Sequence, residues 1–187
     1  MSKQALTRNP LFPPTQVLGQ LKSGQLFYVQ ATPGNALIIC HTHYAEIVGP
    51  GAMVGGIVDL DCSRLVPLGK VALTYLESFE QKKDAFFHRQ QWLSATQKVV
   101  KQGVPLKRAS LILVMMERYF GAAITDGLED ELLASLVGVL PSTMELARQY
   151  RRSKQQENSG VKVGDNQEET IALESTALES TPPLSPQ

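Results

Sequence analysis

The chain has 187 residues, 43% of them hydrophobic, with 18 basic and 18 acidic side chains that cancel and only two cysteines. That length and apolar content suit one ordinary domain or two small ones with a true core, and the balanced charge excludes whole-chain attraction to nucleic acid or an anionic membrane, so any basic face must be local. Cys40 and Cys62 are too few for a disulfide framework and point to a reducing, cytoplasmic setting.

Met1 to Pro14 carries Lys3 and Arg8 but lacks the apolar run of a signal peptide. Nor does any segment offer the roughly 20 apolar residues that span a bilayer, so no membrane partner is expected. From Val17 to Leu76 the composition favours strands, at Leu26–Val29, Ala36–Cys40, Ala45–Val48 and Val71–Leu76. Turn residues separate them at Ser23-Gly24, Pro33-Gly34-Asn35, Gly49-Pro50-Gly51, Gly55-Gly56 and Pro67-Leu68-Gly69. The pattern predicts a small antiparallel sandwich or barrel.

After Glu77 glycine is absent until Gly103, and the residues between are good helix formers. A helix is predicted over 78–102, with Ser78 and Glu80 in its first turn and Gly103 ending it. Phe79, Phe86, Leu93 and Val100 recur every seven residues, and Phe87 and Trp92 widen the stripe. Such spacing suits packing on a partner helix; the competing reading is a helix lying on its own β domain, since the second heptad seam holds Lys, Gln and Arg. A buried helix is expected from Leu106 to Phe120, then a turn at Asp126-Gly127, then helices over Glu129–Val137 and Ser142–Lys154. Beyond Gln155 the chain is polar and repetitive, with Ala172-Leu173-Glu174-Ser175-Thr176 closely followed by Ala177-Leu178-Glu179-Ser180-Thr181, and disorder is expected.

The most specific signal runs from Leu132 to Leu146. Small Ala134 allows close helix crossing, Gly138 permits a tight turn, and Val139 with Met144 plugs the space between two helices. This is helix-turn-helix spacing, with a plain helical hairpin as the alternative. The run Arg108–Gly121, the turn Asp126-Gly127 and the run Leu133–Val139 together resemble the carboxy-terminal half of Crp/Fnr transcription regulators, most closely the cyanobacterial nitrogen-regulator branch. The likeness spans roughly Leu26 to Arg152 and is sharp from Val104 to Thr143. It implies an α+β fold with an N-terminal antiparallel β-roll of the cyclic-nucleotide-binding kind over 1–77, a long dimerisation helix over 78–102, a helix-turn-helix DNA-binding domain over 103–154 and a tail over 155–187. It also implies a parallel homodimer joined through Phe79, Phe86, Leu93 and Val100, with double-stranded DNA as partner and RNA polymerase as a candidate second one.

Departures from the family pattern are equally informative. Where such regulators carry two arginines and a glutamate facing DNA, this chain has Pro141-Ser142-Thr143-Met144-Glu145-Leu146, in which Thr143 alone survives. The bidentate guanine contacts that give about 1–3 kcal/mol per base are therefore absent, and no β-hairpin wing follows Lys154. Ser142, Thr143, Glu145, Arg148, Gln149, Arg151 and Arg152 are the candidate DNA-contacting residues; for Arg148, Arg151, Arg152 and Lys154 the alternative is a solvated helix end. In the sensor half Gly55-Gly56-Ile57 lacks the ribose-binding carboxylate, and Ser63-Arg64 only echoes the phosphate-binding pair, so cyclic-nucleotide independence is expected.

Cys40-His41-Thr42-His43 would put both histidines on one strand face and the thiol on the other, too few ligands for a metal without Cys62. A core thiol beside surface histidines is the expected arrangement, with no cofactor. No nucleophile–base set or phosphate-cradling loop stands at recognisable spacing, so catalysis is not expected. The sequence predicts a DNA-binding regulator, with a protein-interaction adaptor derived from one as the alternative.

Overall fold

The computed structural model of the chain describes residues 11–160, and the predicted tail lies outside the described residues from 161 onward. Two compact units are distinguished, Met1–Thr42 with Val48–Gln90, and His43–Ile47 with Gln91–Gln187. In chain order the elements are α1 (Leu18–Lys22), β1 (Leu26–Ala31), β2 (Ala36–Cys40), β3 (Ala45–Val48), β4 (Met53–Gly55), β5 (Arg64–Leu68), β6 (Val71–Tyr75), α2 (Phe79–Val100), α3 (Pro105–Phe120), α4 (Ala122–Asp126), α5 (Asp130–Val137) and α6 (Pro141–Gly160). Among the described residues the fold is mixed α+β, with six strands in two small antiparallel sheets and several helices.

One sheet has the order β4-β1-β6 and the other β3-β2-β5. Along β1 the side chains alternate, Phe27 and Val29 being buried while their neighbours are not, the signature of a strand with one covered face. Phe27 stands opposite Tyr75 with the rings stacked at 5.0 Å, and Phe12 meets both edge-on. Two backbone hydrogen bonds between Phe12 and Leu73 fasten the entering chain to β6. Central β2 is buried at four successive positions, Ala36 to Ile39, and its continuous apolar run reflects cover on both faces.

The predicted strands β2 and β3 coincide with the observed ones, and β1 and β6 differ by a residue or two at one end. Strand β5 was masked in the sequence by Pro67, which a sheet interior excludes; β5 lies at a sheet edge, where a missing N–H does no harm. Strand β4 is only three residues long and ends on Gly55, whose φ of 97° is reserved for glycine. Its ideal Cβ would stand 1.9 Å from the Gln25 carbonyl oxygen and 2.9 Å from a Leu21 methyl carbon.

Helix α2 starts with a reciprocal cap. The Ser78 hydroxyl accepts from Gln81 N–H, and the Gln81 side-chain oxygen accepts from Ser78 N–H, each at 3.1 Å. Ala85, Arg89, Trp92, Thr96 and Val99 are buried, at the 3- and 4-residue spacing of a helix face turned into its own chain. The seven-residue stripe lies elsewhere on the helix: Phe79, Phe86 and Val100 are 76%, 47% and 44% exposed, and Leu93 is half-buried. Trp92 therefore does not widen that stripe; its ring packs edge-on against Tyr119 at 6.4 Å. The sequence hid the inward face because Arg89 and Thr96 break its apolar pattern.

Helix α3 begins with Pro105 in its first turn, and Ala109, Leu111, Ile112, Leu113, Met115, Met116 and Phe120 on it are buried, in keeping with its predicted core role. The turn at Asp126-Gly127 is preceded by a further short helix, α4, that the sequence did not reveal. Helix α6 continues to Gly160, past the predicted end at Lys154.

Gly55→Ala and Gly138→Ala separate strain from collision. Gly138 also has a positive φ, 62°, but nothing lies within 4 Å of its ideal Cβ, so alanine there costs about 1–2 kcal/mol of left-handed strain. At Gly55 the collision with backbone adds to that strain, and urea unfolding should show a loss well above the Gly138 value.

Candidate functional site

The helix-turn-helix candidate is built in the second unit by α5, the turn at Gly138 and α6. Glu129 precedes α5, Asp130 and Glu131 occupy its first turn, and Gly138 ends it in the left-handed conformation. Val139 N–H returns to the Ala134 carbonyl at 3.2 Å, closing the end of the helix. Ala134, Met144 and Ala147 are buried and Val139 is half-buried. Pro141 then starts α6, where its missing N–H is harmless. Arg108 on α3 donates to the carbonyls of Gln102 and Gly138, each at 3.0 Å, and so ties the turn to the helix beneath it.

Two of the candidate DNA contacts prove to have structural work. The Arg148 side chain is only 10% exposed. Its Nε donates to Asp130 at 2.6 Å and its two Nη atoms reach Asp126 at 3.4 Å, the Thr125 carbonyl at 3.1 Å and the Leu128 carbonyl at 2.8 Å. One guanidinium thus stitches α6 to the connection between α4 and α5. Arg151 pairs with Glu117 of α3 at 2.5 Å, with both side chains largely covered. Helix α6 turns both arginines towards carboxylates on neighbouring helices.

Ser142, Glu145, Gln149 and Arg152 are exposed, Thr143 is half-buried, and Lys154 lies over the Tyr150 ring at 5.0 Å. Leu140, Leu146 and Tyr150 add exposed apolar surface, at 69%, 52% and 54%. Where α5 and α6 begin, Glu129, Asp130, Glu131, Pro141, Ser142 and Glu145 line an open groove of about 420 Å³. Among the groove's carboxylates Asp130 is bonded to Arg148, and Glu145 accepts from the Gln149 side chain at 3.3 Å.

The first unit holds a buried polar network. Arg89 of α2 grips Asp59 with both Nη atoms, at 2.6 and 2.7 Å, and also reaches the Met53 carbonyl at 3.3 Å. Asp59 accepts from Gly55 N–H at 2.5 Å as well, and both charged side chains are almost wholly buried. His41 stands alongside, its Nε2 3.6 Å from Asp59 and its Nδ1 2.7 Å from the part-exposed Asp61. That hydrogen bond holds the Asp61 carboxyl below its ordinary value of 3.8. The expected core thiol beside two surface histidines is thus corrected: His41 is buried among carboxylates, His43 is exposed, Cys40 is half-buried and Cys62 is the core thiol, pushed up to about 11 chiefly by burial. Sequence reasoning missed Asp59, Asp61 and Arg89; the one available signal was a charged residue on an otherwise covered helix face.

Against this geometry, no protein-family model, no curated protein and no solved structure matches the chain.

Arg89→Met leaves Asp59 buried with its principal cation gone, and should cost about 3–5 kcal/mol in urea unfolding. Arg89→Met combined with Asp59→Leu should recover most of that loss, because no charge is stranded. Equal losses in the single and double variants would show that the pair is not the fastening. Asp61 adds acid sensitivity: its depressed carboxyl contributes stability above its ordinary value and loses it as pH falls through the lower folded value. Asp61→Asn should therefore flatten the acid limb of the melting profile below about pH 4.

Proposed function

We propose that the chain is a homodimeric regulatory protein resembling Crp/Fnr regulators, in which the helix-turn-helix face contacts protein in place of reading DNA, and which acts by binding and not by catalysis. One observation carries this reading. Two cations of α6, Arg148 and Arg151, are spent on carboxylates inside the chain, while Glu131 and Glu145 are exposed beside exposed Leu146 and Tyr150. Phosphate contacts supply most non-specific DNA affinity, so an acidic rim with buried arginines opposes it. The complementary partner is a protein surface carrying Lys or Arg beside apolar side chains.

Two sheets of antiparallel strands followed by a long helix suit the β-roll and dimer-helix arrangement of such regulators. The exposed stripe of Phe79, Phe86 and Val100, with Leu93, gives the homodimer its surface. Burying Phe86 and Leu93 contributes roughly 1.5–3 kcal/mol per side chain. A second reading, a DNA-binding transcription regulator acting with RNA polymerase, is favoured by the outward placement of Ser142, Gln149 and Arg152 on the second helix.

Two measurements test these readings. Sedimentation at micromolar concentration should give a dimer for the native chain and a monomer for Phe86→Glu with Leu93→Glu; a native monomer would remove the dimer from the proposal. Fluorescence anisotropy with generic duplexes at low salt should show no binding at micromolar protein. If the DNA reading holds, binding appears and Arg152→Ala lowers its salt exponent by about one.

A further inference from the structure

We propose that the single turn Gly56–Asp59, with Leu60 after it, is a docking surface for a second copy of this chain. The inference rests on the homodimer reading above and adds to the stripe on α2 a surface which that reading does not contain. Ile57 is 86% exposed, Val58 42% and Leu60 46%, while Asp59 among them is fully buried. Exposed aliphatic side chains clustered in this way mark contact surfaces. The turn is also held firmly in this presentation. Gly55 and Gly56 adopt φ values of 97° and 69°, which residues with a Cβ resist. Asp59 accepts from Gly55 N–H at 2.5 Å, and Arg89 grips both of its carboxylate oxygens. A buried ion pair is weak evidence for stability in itself; here it fixes an exposed apolar turn, so a partner meets a preformed surface with little ordering cost.

The occupant follows from where the turn is tethered and from area. Arg89 lies three residues after Phe86 on α2, the spacing of neighbours on one helix face. The Arg89–Asp59 pair, at 2.6 Å, therefore holds the turn against the helix beside the stripe. Phe79 and Phe86 are 76% and 47% exposed, and at about 200 Å² for an aromatic side chain they offer roughly 250 Å². Half-buried Leu93 and Val100, 44% exposed, add less. A stable interface buries about 800 Å² on each partner, and between copies of one chain roughly 500 Å² of that is apolar. The stripe alone falls short, and the three aliphatic side chains of the turn are exposed apolar surface fixed to the same helix. In a pair related by a two-fold axis the same patch serves both protomers, so each side chain gained counts twice.

The test is sedimentation of the native full-length chain over a range of concentrations, with hydroxyl-radical footprinting of the same samples. Labelling at Ile57, Val58 and Leu60 should fall in step with dimer formation. Ile57→Glu with Leu60→Glu should raise the dimer dissociation constant at least about tenfold, the effect of losing one well-buried aliphatic side chain. A dimer that forms with the turn still fully labelled, or that the paired glutamates leave as tight as before, overturns the proposal and leaves the turn to a different protein. If Phe86→Glu with Leu93→Glu breaks the dimer while the turn variant does not, this inference falls alone; a native chain that stays monomeric at micromolar concentration removes it together with the homodimer reading. Because the footprint is taken on the native chain, poor folding of a variant does not rescue the proposal.

Discussion

A guanidinium carried into a protein interior must find acceptors for its fixed fork of donors, and each unit of this chain is organised around one that does. In the first unit Arg89 takes both oxygens of Asp59 and a backbone carbonyl. In the second, Arg148 gathers Asp130, Asp126 and the carbonyls of Thr125 and Leu128. Removing either cation would strand the groups that surround it, and a buried carboxylate without its partner is far more costly than a buried pair is beneficial. The short irregular pieces of the fold, the single turn at Gly56–Asp59, where Ile57 and Val58 are exposed, and the connection from α4 to α5, bury little apolar surface of their own. Their positions follow from the charged group that each presents to an arginine.

This use of arginine decides the character of the surface. The chain has as many cations as anions, so every guanidinium turned inward leaves the outside relatively more acidic unless its partner is withdrawn with it. Around α5 and α6 Arg148 is drawn in with Asp130 and Arg151 with Glu117, while Glu131 and Glu145 stay exposed. In the pair α5 and α6 a left-handed glycine ends the first helix, Ala134 and Met144 are buried, and two arginines of the second helix are paired with carboxylates. Leu140, Leu146 and Tyr150 are exposed there as well, and it is on this apolar surface that the proposed protein contact rests.

The parts of the fold legible in the sequence were those with local causes. Apolar runs bounded by turn residues located β2 and β3, and the stretch without glycine located α2 to within two residues at its C-terminal end. Ala134, Gly138, Val139 and Met144 were readable because close crossing, a left-handed turn and an apolar plug are demands met within a dozen residues. What escaped had distant causes. Nothing near Arg148 in sequence announces Asp130, and nothing near Arg89 announces Asp59 thirty positions earlier. A cation on a helix reads as solvent-facing until its partner is known, which is why Arg148 and Arg151 were expected on DNA and His41 on the surface. Pro67 and the three-residue β4 hid two strands for a different reason: edge position and shortness erase the period-2 pattern by which strands are recognised.

The claim that the arginines of α6 serve the fold and not a nucleic acid is tested most directly by Arg148→Met, read for both stability and DNA affinity. Urea unfolding should show a loss of about 2–3 kcal/mol, since a largely buried cation with several charge-assisted hydrogen bonds is removed. Anisotropy with duplex DNA at low salt should be the same for the variant and the native chain. Unchanged stability together with a clear loss of DNA affinity would contradict the account.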